Sequence, residues 1–150
     1  MNWNEYFTNL SEAVSKKSKD PSTKVGAVIV DQNNTVVSVG YNGFIQGCDE
    51  SKLSWERPHK YLYVIHAEMN ALLFAKRNLQ GTKMFLTDAP CDNCLKHCLQ
   101  AGIREIYYKS ADVMAQRGSQ DQKNAIKKLI EATGAKVVNV INGKNIEEEL

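Results

Sequence analysis

The chain has 150 residues, a formal net charge of +2, and 43% hydrophobic against 24% charged residues. That balance suits one folded domain, 1–150, with an apolar core, and it excludes a disordered or fibrous architecture. The basic residues are scattered, with Lys16, Lys17 and Lys19 the nearest approach to a patch, so neither a long nucleic-acid groove nor a nucleic-acid partner is expected.

From the N-terminus, Met1 to Glu5 lacks both the basic and the apolar stretch of a secretory signal, and no apolar run approaches the roughly 20 residues that span a bilayer. A cytoplasmic protein without membrane partners is therefore expected. Asn2 can cap a helix with Glu5 three positions on, and Trp3, Phe7, Leu10 and Val14 recur at helical spacing. Pro21 restricts Asp20 and ends this helix near Ser18. Val25–Val30 is a nearly unbroken apolar run, Asp31–Asn34 is turn material and Thr35–Val39 is a second strand. Together they read as a hairpin whose first strand is buried on both faces.

Periodicity then disappears from Gly40 to Leu62. A loop of that length in a small domain points to a lid or binding element, packed down by Trp55, His59 and Tyr63. Beyond it the pattern predicts a helix over His66–Arg77, a strand over Lys83–Thr87, a helix over Cys91–Gln100 and a strand over Ile103–Tyr108. An amphipathic helix over Gln122–Thr133 and a strand over Ala135–Ile141 follow, and Asn142–Leu150 reads as a polar tail. Helical crossovers join parallel neighbours, so the hairpin supplies the antiparallel part of the sheet. The predicted fold class is α/β, a three-layer α/β/α sandwich around a five-stranded mixed sheet.

The chemistry-bearing residues gather at two helix starts. His66-Ala67-Glu68 opens one and Pro90-Cys91-Asp92-Asn93-Cys94 opens the next. Both follow extended segments, so topology brings them to the same edge of the sheet. One imidazole and two thiols one turn apart make three good ligands for Zn2+, and a catalytic site keeps its fourth position open. Cys98 lies too far along the helix to share that ion with Cys94 comfortably, and Cys48 sits in the irregular loop. His97 and Cys98 are the candidates for a second metal, although a surface histidine and a buried free thiol explain them as well. His59 reads as a loop-packing residue.

Zinc makes water a usable nucleophile near neutral pH. Glu68, two residues from His66, is placed to take a proton from it and return one to a leaving group. His-x-Glu followed by Pro-Cys-x-x-Cys is the zinc-deaminase signature, which hydrolyses an exocyclic amine from a nucleobase. A redox role for Cys91 and Cys94 would leave His66 and Glu68 unused.

Further segments sharpen the match. Ser18-Lys19-Asp20-Pro21-Ser22-Thr23-Lys24-Val25-Gly26-Ala27, Gly40-Tyr41-Asn42-Gly43-Phe44, Gly47-Cys48 and Tyr63-Val64-Ile65-His66-Ala67-Glu68-Met69-Asn70-Ala71 resemble the deoxycytidylate (dCMP) deaminase family of the cytidine deaminase superfamily, viral members included, over roughly residues 3–108. The resemblance implies a cytidine deaminase-like fold and conversion of dCMP to dUMP with release of ammonia. It assigns His66, Cys91 and Cys94 to zinc and Glu68 to proton shuttling.

The same resemblance places Asn42 on the substrate sugar, the backbone around Ala67 and the ring of Tyr108 on the base, and makes Lys24 and Lys19 the candidate phosphate donors. It further implies a homo-oligomer, with a hexamer favoured. Activation by dCTP with Mg2+ and inhibition by dTTP would be read by Asn42, Gly43, Phe44 and Gly47. Ile45 stands where relatives usually carry proline, and Leu95 stands before Lys96 where they often carry a small residue.

Three other readings share parts of this pattern. A dual dCMP/dCTP deaminase, or another nucleoside or tRNA deaminase, would use the same metal chemistry; the tRNA enzyme would need a broad basic face. A zinc-stabilised interaction protein would close the metal with a fourth protein ligand.

Overall fold

The computed structural model describes residues 1–150. Helix α1 (Trp3–Ser15) is capped by Asn2, whose Oδ1 accepts the Glu5 amide at 2.8 Å. Strands β1 (Gly26–Val30) and β2 (Val36–Tyr41) form the hairpin, and the Asp31 carboxylate accepts the Asn33 and Thr35 amides across the turn. After the long loop come α2 (Ala67–Ala75), β3 (Lys83–Asp88), α3 (Asp92–Gln100), β4 (Glu105–Ser110), α4 (Asp112–Arg117), α5 (Gln120–Thr133), β5 (Lys136–Asn139) and the single turn α6 (Ile146–Glu149).

The sheet order is β2-β1-β3-β4-β5. β1 pairs antiparallel with β2 and β3, while β3–β4 and β4–β5 are parallel. This is the expected mixed five-stranded sheet, and every residue of β1 is buried. One face packs against α1 through Phe7, Val28, Val30, Phe85, Tyr107 and Val138. There Phe7 lies 5.1 Å from Phe85, which lies 5.2 Å from Tyr107, and these aromatic contacts tie α1 to the middle of the sheet. The opposite face carries the larger core, to which α2, α3 and α5 contribute Ala67, Ala71, Leu95, Leu99, Ile126 and Ile130.

Two expectations are corrected. α1 ends at Ser15, about a turn before Ser18, which instead anchors the following segment by donating from Oγ to the Asn42 carbonyl. The polar tail is docked: Ile146 is fully buried, and the Glu149 carboxylate accepts from Tyr108 Oη, Asn139 Nδ2 and Asn142 Nδ2. One isoleucine among glutamates gives no readable periodicity. For the same reason α4, six residues with only Met114 buried and no side-chain cap, escapes a reading of the pattern.

α2 lies unusually close to β2. A Cβ at Gly40 would stand 2.4 Å from both the Ala67 carbonyl oxygen and the Ala71 nitrogen. Ser38 Oγ donates to the Ala71 carbonyl and Asn70 Nδ2 to the Tyr41 carbonyl, so hydrogen bonds hold the approach on both sides of Gly40. Gly40→Ala therefore forces α2 outward and costs about 1–3 kcal/mol or more. Gly43→Ala, where the added atom meets nothing nearer than 4.0 Å, serves as the control, and urea unfolding of the two variants separates them.

Candidate active site

His66 is the N-cap of α2 and Cys91 the N-cap of α3. His66 follows Ile65, which pairs with Gly43 in an isolated bridge, and Cys91 follows Pro90 at the end of the segment leaving β3. The two helices thus begin side by side. His66 Nδ1 lies 3.3 Å from Cys94 Sγ and 3.7 Å from Cys91 Sγ, and all three donor atoms fall within 4.8 Å of one another.

Tetrahedral zinc, with Zn–N of roughly 2.0 Å and Zn–S of roughly 2.3 Å, holds its nitrogen and sulfur ligands about 3.5 Å apart. The observed spacings bracket that distance, so the donor set fits the ion. No fourth side chain joins the group. Cys98 is fully buried against Met84 Sδ, and His97 is exposed with Nδ1 against the Asn93 carbonyl. Neither these two nor Cys48 and His59 forms a second metal cluster.

The donors differ in charge: Cys91 is shifted toward the thiolate that a metal takes, whereas Cys94, first through its hydrogen bond to Cys91 and then through burial, is raised and holds its proton. The Cys91 thiol is lowered, first by a hydrogen bond from Cys94 and then, against the cost of burial, by His66 and by the Cys94 amide that donates to Cys91 Sγ at the start of α3. His66 is raised, chiefly by its contact with Cys91. Glu68, 5% exposed, is pushed up to about 7 by burial, opposed by the pull of His66.

His66, Glu68 and Cys91 line a cleft of about 530 Å³. Ala67, Asn42 and Glu68 border it. Asn42 is also a joint in the wall: its Oδ1 accepts the Val25 amide at 2.8 Å, and its Nδ2 donates to the Thr23 carbonyl at 2.8 Å and to Asp20 Oδ2 at 3.4 Å.

Three expected contacts are corrected. Tyr108 does not reach the cleft. On β4 the pleat sends Tyr107 to the α1 face and Tyr108 into the opposite core, where its hydroxyl donates to Glu149. Lys24 is exposed, and its neighbours Thr23 and Val25 line the cleft instead. Lys19 borders a different cavity of about 400 Å³ and pairs with Glu50 at 2.9 Å. That second cavity also holds Gly43, Phe44 and Gly47, with Phe44 stacked 4.0 Å from Trp55.

The structure adds lining residues that the pattern did not single out: Asp20, Arg57, Lys60, Asp88 and Arg117. Asp88 is raised by burial and by Asp112. Lys60, 4% exposed, reaches across to Asp20, 2% exposed, at 2.9 Å, and also donates to Ser22 Oγ. This buried pair clamps the long loop to the segment after α1, and it gives Asp20 in the Ser-Lys-Asp-Pro stretch a structural reason. A sequence signal existed in that Asp, but nothing marked a lysine 40 positions away as its partner.

A mixed α/β sandwich with one imidazole, two thiols and a buried carboxyl at adjacent helix starts defines a class, that of metal-dependent hydrolytic deaminases. The family described as the cytidine and deoxycytidylate deaminase zinc-binding region matches residues 1–110, and the chain belongs to that family. It is 48% identical over 105 residues to an uncharacterized deaminase of Aliivibrio fischeri, covering 70% of this chain and 71% of that protein. It is 38% identical over 117 residues to human deoxycytidylate deaminase, covering 73% and 66%. The dCMP deaminase of cyanophage S-TIM5, solved in complex with dCMP and dUMP, superposes with a TM-score of 0.68 at 26% identity, covering 91% and 95%.

Asp20 is held at about 2: burial alone would raise it, but the Lys60 ammonium, the Ser22 and Thr23 amides and the Ser22 hydroxyl outweigh that cost. A carboxyl depressed in the folded state contributes stability that is present above its unfolded pKa, near 4, and lost as pH falls through about 2. Asp20→Asn leaves Lys60 buried without a counter-charge and lowers stability at pH 7 by about 3–5 kcal/mol. In urea titrations the gap between parent and variant narrows by on the order of 2 kcal/mol between pH 4 and pH 2.

Proposed function

We propose that this chain hydrolyses dCMP to dUMP and ammonia, with His66, Cys91 and Cys94 holding zinc and Glu68 moving the protons. The observation that carries the reading is the nitrogen and two sulfurs at tetrahedral spacing beside a buried carboxyl, on a chain similar to deoxycytidylate deaminases over most of its length. Bound zinc supplies a Lewis acid that makes water nucleophilic near neutral pH.

The work of the protein's own residues follows from their placement. A C–O bond forms at C4 of the cytosine and the C4–N bond breaks. Glu68 takes a proton from the attacking water, gives one to ring N3, and passes one to the departing amine. Burial raises the Glu68 carboxyl above the ordinary carboxylate range, the direction that suits a group which both takes and returns protons. The first turn of α2 presents the backbone amide of Ala67, which has no partner within the helix and favours negative charge developing on the base.

The second cavity, which shares Asn42 with the cleft, supports a triphosphate effector site for dCTP with Mg2+ or for dTTP. Exposed Val39, Tyr41, Leu73 and Phe74 along β2 and α2 support a homo-oligomer, in keeping with a hexamer.

Purified protein is expected to turn over dCMP faster than cytidine, dCTP or an adenosine-containing anticodon stem. Initial rates with and without dTTP test the regulated version separately from the chemistry. Glu68→Gln retains one zinc per chain by elemental analysis and loses about 10²- to 10⁴-fold in kcat. Full activity in that variant would remove the proton-shuttle assignment.

A further inference from the structure

The cleft contains more positive charge than its deamination chemistry uses, and that charge is unevenly committed. Lys60 is spent on Asp20 and Ser22 inside the wall. Arg57 and Arg117 are different: both line the cleft, both are exposed, and neither takes part in any ion pair of the fold. The carboxyls that face the same space, Glu68 and Asp88, are more deeply placed. The cleft is therefore graded, with the proton-moving carboxyl and the Cys94 thiol buried, Cys91 half-buried, and two guanidinium groups without a counter-charge at exposed positions of the lining.

Each arginine is carried by an anchored segment. Arg57 stands three residues before Lys60, whose buried pair with Asp20 pins the loop, and two residues after Trp55, which stacks on Phe44. Its Nη2 reaches Thr23 Oγ1 at 3.4 Å. Arg117 ends α4, which is fastened by buried Met114 and turned by Gly118, where a Cβ would meet Met114 Sδ at 2.3 Å. The next helix starts at once with a reciprocal cap between Ser119 and Gln122, and Gln122 Nε2 donates to Asp92 at the start of α3. Arg117 is thus tied by a short chain of contacts to the helix that carries Cys91 and Cys94. It also lies beyond residue 110, outside the part of the chain that the family match covers.

A planar guanidinium binds a phosphate through paired, charge-assisted hydrogen bonds, which an isolated ammonium does less selectively. We propose that Arg57 and Arg117 are the specificity-determining residues that grip the 5′-phosphate of the nucleotide and so select a monophosphate over the free nucleoside. This rests on the reading of the cleft as the dCMP site. It replaces Lys24 and Lys19, which do not face that cleft, with groups that do.

The test uses the zinc-loaded full chain in a Glu68→Gln background, so that binding is read without turnover. Isothermal titration calorimetry compares dCMP, deoxycytidine and deoxyadenosine 5′-monophosphate in the parent, in Arg57→Gln, in Arg117→Gln and in the double variant. Each single substitution is expected to weaken dCMP about 10- to 100-fold. In the double variant the affinity ratio of dCMP to deoxycytidine should collapse towards one, and Arg→Lys at either position should restore part of it. An unchanged ratio in the double variant would overturn the phosphate grip while leaving the deamination reading intact. Arginine-dependent binding of deoxyadenosine monophosphate but not of dCMP would keep the grip and remove the cytosine reading. Absence of binding by any nucleotide would overturn both.

Discussion

The whole site hangs on how closely one helix can approach one strand. Gly40 lets the backbone of α2 come into contact with β2, and the hydrogen bonds from Ser38 and Asn70 fix that approach. His66 caps α2, so this packing decides where its imidazole stands relative to the thiols that open α3. Spacings of 3.3 and 3.7 Å between donors on different helices leave little tolerance. A displacement of α2 by an ångström would separate the nitrogen from the sulfurs before it disturbed the sheet.

The sheet and most helices were legible because their signals are local and repeat. Apolar runs in β1, β3 and β4, a side-chain cap at Asn2 and the amphipathic spacing of α5 all report on a residue's immediate neighbours. The metal donors were legible for another reason: His-x-Glu and Cys-x-x-Cys are spacings that a helix start converts directly into geometry. What escaped was either too short to show a period, as in α4 and α6, or set by long-range pairing. The partnership of Asp20 with Lys60, and that of Tyr108 with Glu149 across 41 positions, belongs to the second kind. Tyr108 was misplaced because an aromatic residue at a strand end looks the same on paper whichever face it takes.

The cleft wall is assembled with unusual economy. Ser18, Asp20, Ser22, Thr23, Asn42 and Lys60 form one connected polar network, and no buried side-chain polar atom in the protein lacks a partner. Burying an ion pair is rarely a net gain over apolar packing, yet removing one member is costly, so such a pair holds a specific geometry more than it adds stability. Here it fixes the long loop against the segment entering β1. Loops carry function because they vary, and this one is held at both ends by contacts that fold with the core.

Asn42 borders two separate cavities while spending its single amide on Thr23, Val25 and Asp20. A molecule that reorients this amide from one side alters the anchoring of backbone on the other, and thermodynamic linkage makes any such influence mutual. The factor by which the first guest changes the affinity of the second must equal the factor returned. One carboxamide is thus the structural element that any exchange of influence between the two chambers would have to pass through.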